Sequence, residues 1–412
     1  MSAGMAAEVP AVRGVGVCAP LGFRAGAAAA NVRGDGDIER LDIAVIRSDV
    51  PAAAAGVFTR NTVKAAPVVI SQLTLRRGTP ISAVVVNSGN ANACTGAQGF
   101  RDALRMCSAA GDALALDPSE VLVCSTGVIG RAMPMERVLV GIRAAAALDD
   151  LSGDAVARAI MTTDTRPKVA DATFGWNGAD YVVGGMAKGA GMLHPDMATM
   201  LAFVTTDARV TAPALQTLVR RVADDTLNCV SVDGDTSPND SLVALANGAG
   251  GETVFEEGTQ PFGLLEDAVR DVCDSLAEQL VADAEGAQRY FRVAVSGAAD
   301  VGQARRAARI VAQSPLVKAA LHGGDPNWGR IVAALGRSGA TFTLDRCSVG
   351  IGGITVFARG APVDADLDIV RTALLQPRVD IQADLGAGDA SGHAWGCELT
   401  DEYVHINADY TT

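Results

Sequence analysis

The sequence predicts an α+β fold of layered sheets and helices. Three observations predict it: short β-branched runs of strand length, apolar residues at helical spacing between them, and strand signals that return late without strict alternation. ISAVVVN (81–87) and EVLVCS (120–125) read as strands, each ending in a Gly-containing polar turn. Between them RDALRMCSAAGDALAL (101–116) has helical spacing. Helices are also expected over 211–223 and 260–285, the latter with Leu264, Leu265, Val269, Val272, Cys273, Leu276 and Leu280 on one face. YFRVAVSG (290–297) and SVGIGGITVFARG (348–360) supply the late strands, which favours layered sheets over a doubly wound one. A boundary near 285–290 is expected, with about 288–412 as a smaller C-terminal α+β subdomain. RAGAAAA (24–30) and RAAAALDDL (143–151) read as helices filled with small residues.

The chain has 412 residues, enough for two or three domains with a full apolar core. Its net charge of -13, without a basic run, argues against a nucleic-acid partner. The start, MSAGMAAEVPAVRG, lacks a basic segment followed by an apolar one, and no stretch approaches the roughly 20 apolar residues of a membrane span. A cytoplasmic location and no membrane contact are expected. The eight cysteines form no CxxC pair, so buried reduced thiols are expected rather than a zinc site or a disulfide framework.

Familiar catalytic motifs are absent: there is no GxSxG, Walker loop or HExxH, and the four histidines are far apart. The densest Gly-rich turn is KGAGMLHPDMATMLAFVTTDA (188–208), where Gly189, Gly191 and Pro195 constrain the backbone and MLAFVTT reads as a buried strand. Thr199 therefore sits where a constrained loop enters a strand. The ordinary reading is a residue that starts a strand. The chemical reading is attack of its hydroxyl on the Ala198 carbonyl, followed by hydrolysis of the ester. The freed α-amine, with an ordinary pKa of about 7.7–8.0, could then serve as base for its own hydroxyl.

VLVCSTGVIG (121–130) offers Thr126 and Gly127 as donors to an oxyanion, though taken alone it reads as a structural turn. NSGNANACTG (87–96), VDGDTSPNDS (232–241) and HGGDPNWGR (322–330) are further polar turns, expected to shape the site or the turns beneath it. The second lacks the final Glu of a Ca²⁺ loop, so neither metal nor cofactor is expected.

KGAGMLHPDMATML, CSTGVIGRAMP, NSGNANACTG, HGGDPNWGRI and EYVHINADYTT together closely resemble the ornithine acetyltransferase family, also called the bifunctional glutamate N-acetyltransferase family of arginine biosynthesis. The resemblance runs from about Gly14 to Thr412. It implies the layered sandwich of that self-processing type and a cut between Ala198 and Thr199, giving an α chain (1–198) and a β chain (199–412) in an α2β2 heterotetramer. It also implies ping-pong transfer of acetyl from N2-acetylornithine to glutamate, some members accepting acetyl-CoA too.

By motif, Thr199 is the nucleophile and Thr126 and Gly127 form the oxyanion hole. The same resemblance implies that Thr162, Lys188, Thr199, Glu285, Asn407 and Thr412 contact substrate. A lysine suits an α-carboxylate and a glutamate an ammonium group. Departures from the family pattern are small: NVRG at 31–34, and Glu398 where Asp is commoner. Two rival readings use the same residues differently, an N-terminal-nucleophile amidohydrolase or aminopeptidase in which water takes the acyl group, and an uncut binding protein.

Overall fold

The computed structural model describes residues 14–149, 151–194 and 200–409. Among them the strands form two sheets, of eight and seven strands. The first contains β1 (Phe23–Ala28), β2 (Ile43–Phe58), β3 (Ile81–Asn87), β4 (Val121–Ser125), β5 (Lys168–Trp176), β6 (Ala179–Lys188) and β7 (Leu201–Thr206). β8 (Val230–Ser231) belongs to the second sheet, while β9 (Ser241–Ala246) returns to the first, whose order is β4-β3-β2-β9-β7-β6-β5 with β1 alongside β2.

The first sheet doubles back through β2. Ile43–Arg47 of this strand pair with β3, and Ala53–Phe58 pair with β9; between them the ladder shifts register around the exposed Pro51, which has no N–H to donate. The two halves thus face each other across a core in which Val84, Val86 and Leu122 meet Met186, Leu201, Phe203, Val243 and Leu245.

Each half carries helices on its outer face. Alternation along β3 sends Ala83 and Val85 to the other side, against Met106 of the helix Gly96–Leu114 and Val138 of the helix Met135–Ala146. The helices Ala212–Asp225 and Gln260–Ala282 cover the far half through Leu218, Val222, Leu265, Val272 and Leu276. At about 1.5–3 kcal/mol for each fully buried aliphatic side chain, these faces outweigh any single polar contact in holding the layers.

The second sheet comprises β8, β10 (Tyr290–Ala298), β11 (Ser348–Ile351), β12 (Ile354–Ala358), β13 (Ala361–Pro362), β14 (Arg378–Asp384) and β15 (Ala390–Cys397), in the order β13-β12-β11-β14-β10-β15-β8. Phe291, Val293 and Val295 of β10 pack on Ala304, Ala308 and Val311 of the helix Val301–Ala312. β8 pairs in parallel with Trp395–Gly396, tying the two sheets together. The α+β class with layered sheets is the architecture expected from the sequence.

Two expectations are corrected. RAGAAAA is not helical: Arg24–Ala28 lie in β1, pressed so closely under the helix Met135–Ala146 that a Cβ on Gly26 would stand 2.0 Å from the Ala145 carbonyl oxygen. Its small residues serve that close approach rather than a helix. None of the eight cysteines forms a disulfide, but Cys94, with a left-handed backbone (φ 58°), is exposed rather than buried.

Candidate active site

Four strand ends converge where the halves of the first sheet meet. β4 ends at Ser125, β6 ends at Lys188, β7 opens at Leu201, and β9 opens at Ser241. With the turn after the helix Gln260–Ala282 and the last helix, Asp401–Asp409, they enclose a cavity of about 100 Å³. Thr126, Gly127, Ile129, Thr162, Thr163, Lys188, Gly191, Met192, Met200, Leu201, Ser237, Asn239, Asp240, Glu285 and Asn407 line it.

Lys188 is the centre of the polar wall. It is 7% exposed, and its Nζ donates to Thr162 Oγ1 at 2.7 Å and to Thr126 Oγ1 at 3.3 Å. Because the Thr126 oxygen accepts from Lys188, its own proton is left to point elsewhere. Burial pushes the Lys188 ammonium below its ordinary range; Asp164 opposes the shift and the like charge of Lys168 adds to it.

Beneath Lys188 lies a buried charge network. Asp164 accepts from Gly189 N–H at 2.6 Å, Thr162 N–H at 3.0 Å and Lys168 Nζ at 2.7 Å. Burial raises the Asp164 carboxyl, but Lys188 and Lys168, with the hydrogen bonds, outweigh it and hold it down at about 2. Lys168 Nζ also donates to Asp283, at the end of the helix Gln260–Ala282, at 2.6 Å. Thr165 donates to Asp283 through both its N–H and its hydroxyl. Thr162 and Lys188 are thus fixed by one carboxylate between two cations.

The Thr126–Gly127 turn is held from below by asparagines. Thr126 N–H donates to Asn87 O at 3.0 Å and Val128 N–H to Gly89 O at 3.4 Å; the Gly127 N–H makes neither bond. The buried Asn87 side chain accepts from Ser125 Oγ at 2.6 Å and donates to Asn90 O at 2.8 Å. Gly127 has φ 131°, and a Cβ there would lie 2.3 Å from the Gly89 carbonyl carbon. Only glycine fits that crossing.

The opposite wall carries Glu285. A Cβ on Gly191 would sit 2.3 Å from Glu285 Oε2, so the bare backbone at 191 lets the carboxylate into the cavity. Asn407 Nδ2 donates to the same oxygen at 2.8 Å. Four residues earlier on that helix, Tyr403 donates its hydroxyl to Asp233 Oδ2 at 3.2 Å, and Asp233 accepts Met192 and Leu193 N–H at 2.6 and 2.9 Å. The last helix and the Gly191–Leu193 turn are therefore pinned by one carboxylate of VDGDTSPNDS.

The ArgJ family model matches residues 24–412. The chain belongs to the ArgJ family. It is 49% identical to the arginine biosynthesis bifunctional protein ArgJ of Symbiobacterium thermophilum over 398 residues, covering 96% of this chain and 98% of that protein. The ArgJ of Deinococcus radiodurans is 47% identical over 395 residues, 95% and 97% of the two chains. The solved arginine biosynthesis bifunctional protein ArgJ of Bacillus halodurans is 37% identical with a TM-score of 0.50, and covers 52% of this chain and 100% of its own.

In this ArgJ chain the cavity brings together Thr126, Gly127, Thr162, Lys188, Glu285 and Asn407, six of the positions singled out from the sequence. Ala198, Thr199 and Thr412 lie outside the described residues; Met200, directly after Thr199, lines the cavity. Asp164 was not singled out from the sequence, and Asn239 and Asp240 only as part of VDGDTSPNDS, the turn expected to shape the site or the turns beneath it. A signal for Asp164 was present, since an acid inside a Thr-rich turn and four residues before Lys168 suits a buried ion pair. HGGDPNWGR stands away from the cavity, its Asn327 capping the helix Trp328–Gly336. His194 does meet a serine, Ser231 Oγ at 3.0 Å, but Ser231 is fully buried in β8 and neither lines the cavity. Among the described residues no helix is long and apolar enough to cross a membrane.

Proposed function

We propose that this chain cuts itself between Ala198 and Thr199 and then carries acetyl from N2-acetylornithine to glutamate as an ester on Thr199. The observation that carries the reading is one cavity joining the Lys188–Thr162–Thr126 cluster, the Gly127 turn and the Glu285–Asn407 pair beside Met200. The ArgJ relatives, named as arginine biosynthesis proteins, support a place in that biosynthesis. The Bacillus halodurans chain is matched along its whole length while covering 52% of this one, the share that the 214 residues after Ala198 make up.

In the cut, Thr199 Oγ attacks the Ala198 carbonyl carbon and the C–N bond breaks, giving an ester and a free α-amine. Water then releases the Ala198 carboxylate. In transfer, the α-amine takes the Thr199 hydroxyl proton as Oγ bonds to the acetyl carbon. The carbonyl electrons move onto oxygen, where the Thr126 hydroxyl and Gly127 N–H donate, with the Lys188 charge behind Thr126. Collapse expels the ornithine nitrogen, which takes the proton back from the ammonium. The glutamate amine reverses these steps on the acetyl-Thr199 ester.

Lys188 is suited to the substrate carboxylate and Glu285 to an ammonium group, with Thr162, Asn407 and Thr412 completing the contacts. The two pieces, α and β, pair as an α2β2 heterotetramer in the cytoplasm.

Mass spectrometry after mixing the purified protein with N2-acetylornithine tests the reading. An acetyl adduct on Thr199 of a cut chain, discharged by glutamate as N-acetylglutamate, is expected. Acetate without N-acetylglutamate would instead mark a hydrolase, and no adduct would defeat the nucleophile. Acetyl-CoA is tested as second donor in the same mixture.

A further inference from the structure

The second sheet has two unlike faces. Phe291, Val293 and Val295 of β10 pack on the helix Val301–Ala312, whereas Arg292, Ala294 and Ser296 alternate to the opposite side. Across the ladder, Ala294 stands opposite His393 of β15 and Gln382 of β14. β10 lies inside its sheet, where a strand between two layers ordinarily carries apolar residues on both faces. Tyr290 and Trp395 meet that rule by joining the core under the helix Gln260–Ala282. Beyond them the face opens on a cleft of about 560 Å³, separate from the candidate active site and within the size of small-molecule sites, about 300–1,000 Å³.

Three arginines reach the cleft from three elements: Arg270 from the helix Gln260–Ala282, Arg292 from β10 and Arg305 from the helix Val301–Ala312. Arg305 passes over β15 at Gly392, where a Cβ would lie 3.0 Å from its Cγ. Asp225 holds Arg270 and Arg305, one on each carboxylate oxygen. Arg292 makes no ion pair or hydrogen bond among the described residues. It lies over the Trp395 ring, 5.8 Å from the centroid, a contact that spends none of its five N–H groups. The other acid, Asp274, faces His393, with Oδ1 and Nε2 3.6 Å apart and neither hydrogen-bonded. Three guanidiniums against two carboxylates leave this cleft positive in a chain of net charge -13, and low-dielectric walls focus such a field.

We propose that the cleft binds a phosphate group, held by the N–H edge of Arg292, with Arg305 and the Ser296 and Ser391 hydroxyls on its remaining oxygens. A carboxylate has about four lone-pair sites, which the Arg292 fork and one further donor nearly fill; the donors here outnumber them, and phosphate takes the rest. The volume leaves room for the organic part of a small phosphate ester. Every residue involved lies between Asp225 and His393, so the site stands whether or not the chain is cut after Ala198. Because its arginines come from both layers, an occupied cleft ties the second sheet to the helix Gln260–Ala282 and stabilises the folded chain by mass action.

The test is calorimetric titration and thermal melting of the full-length protein with inorganic phosphate, and with malonate as a carboxylate of like charge. Ionic strength is held fixed, since screening alone weakens a charged cleft. One saturable phosphate per polypeptide and a raised melting temperature are expected, with malonate binding more weakly. Arg292→Gln is expected to weaken phosphate binding about 10-fold or more, the loss of one charge-assisted contact, and to leave the phosphate-free melting temperature unchanged. Arg292→Lys keeps the charge and loses the fork; it is expected to weaken binding too, and replaces the glutamine variant if that one fails to fold. No saturable binding to wild type would overturn the proposal. Binding untouched by both substitutions would also overturn it, by placing the anion elsewhere, for instance at Lys188. Malonate binding as tightly as phosphate would overturn the choice of ligand.

Discussion

Lys168 Nζ stands 2.6 Å from Asp283 Oδ2, with the lysine side chain wholly buried and the carboxylate nearly so. A second carboxylate, Asp164, sits on the same ammonium. Taking that cation away removes the counter-ion that two buried acids share, leaving Asp164 with Lys188 alone and Asp283 with Arg166 at 3.8 Å. Lys168→Met is expected to cost about 3–5 kcal/mol, measured by urea denaturation, and to loosen the turn that bears Thr162. An unchanged midpoint would show that the network carries no stability.

Asp164 also makes an acid-limb prediction. Its folded value of about 2 lies below the ordinary 3.8, so its contribution to stability is complete above 3.8 and is lost as pH falls through 2. Asp164→Asn is expected to flatten that part of the stability curve. The comparison is made by thermal melts at intervals between pH 5 and the acid limit of solubility.

Thr199→Ala is expected to run as a single 42.0 kDa chain and to transfer no acetyl group. Thr199→Ser retains a hydroxyl and is expected to keep some cutting and some turnover. Equal activity in the alanine variant would rule out a covalent role for this residue.

At Gly127 the backbone leaves no room for a side chain, since a methyl group would meet Gly89 at 2.3 Å. Gly127→Ala is expected to move the turn and lower kcat by about 10²–10³, the loss typical of removing one oxyanion donor. Glu285→Gln should act differently, raising KM for the amine-bearing substrate more than it lowers kcat. Steady-state kinetics with both substrates separates the two patterns.

Thiol labelling gives a further check. Burial pushes Cys107, Cys124, Cys229 and Cys273 up to about 12, which leaves almost no thiolate at neutral pH, whereas Cys94 is exposed. One rapidly reacting thiol per native chain is expected in a disulfide-exchange titration, and none in Cys94→Ser.

Local pattern carried much of this architecture, and long-range contact carried the rest. ISAVVVN was readable as a strand because its β-branched run has one sensible outcome, and all seven residues are buried. RAGAAAA was misread because alanine favours helices in isolation, while the deciding contact, Gly26 against Ala145, spans more than a hundred residues. Lys188 and Glu285 were found through motifs. Asp164 was not, and Asn239 and Asp240 were read only as part of a polar turn, because the deciding partners are distant: Lys168, which pairs with Asp164, also needs Asp283 115 positions away, and Asn239 needs Ser125 114 positions away.

The doubled first sheet draws its strands from both sides of the Ala198–Thr199 bond: β6 pairs with β7 across it, and β2 with β9. Severing that bond would leave two polypeptides woven through a common hydrogen-bonded lattice, with no seam along which to part. Such a protein has a history that its covalent structure no longer contains. Formed once as a unimolecular event, it would, after complete unfolding, have to be rebuilt by a second-order encounter between two chains, at a rate set by their concentration.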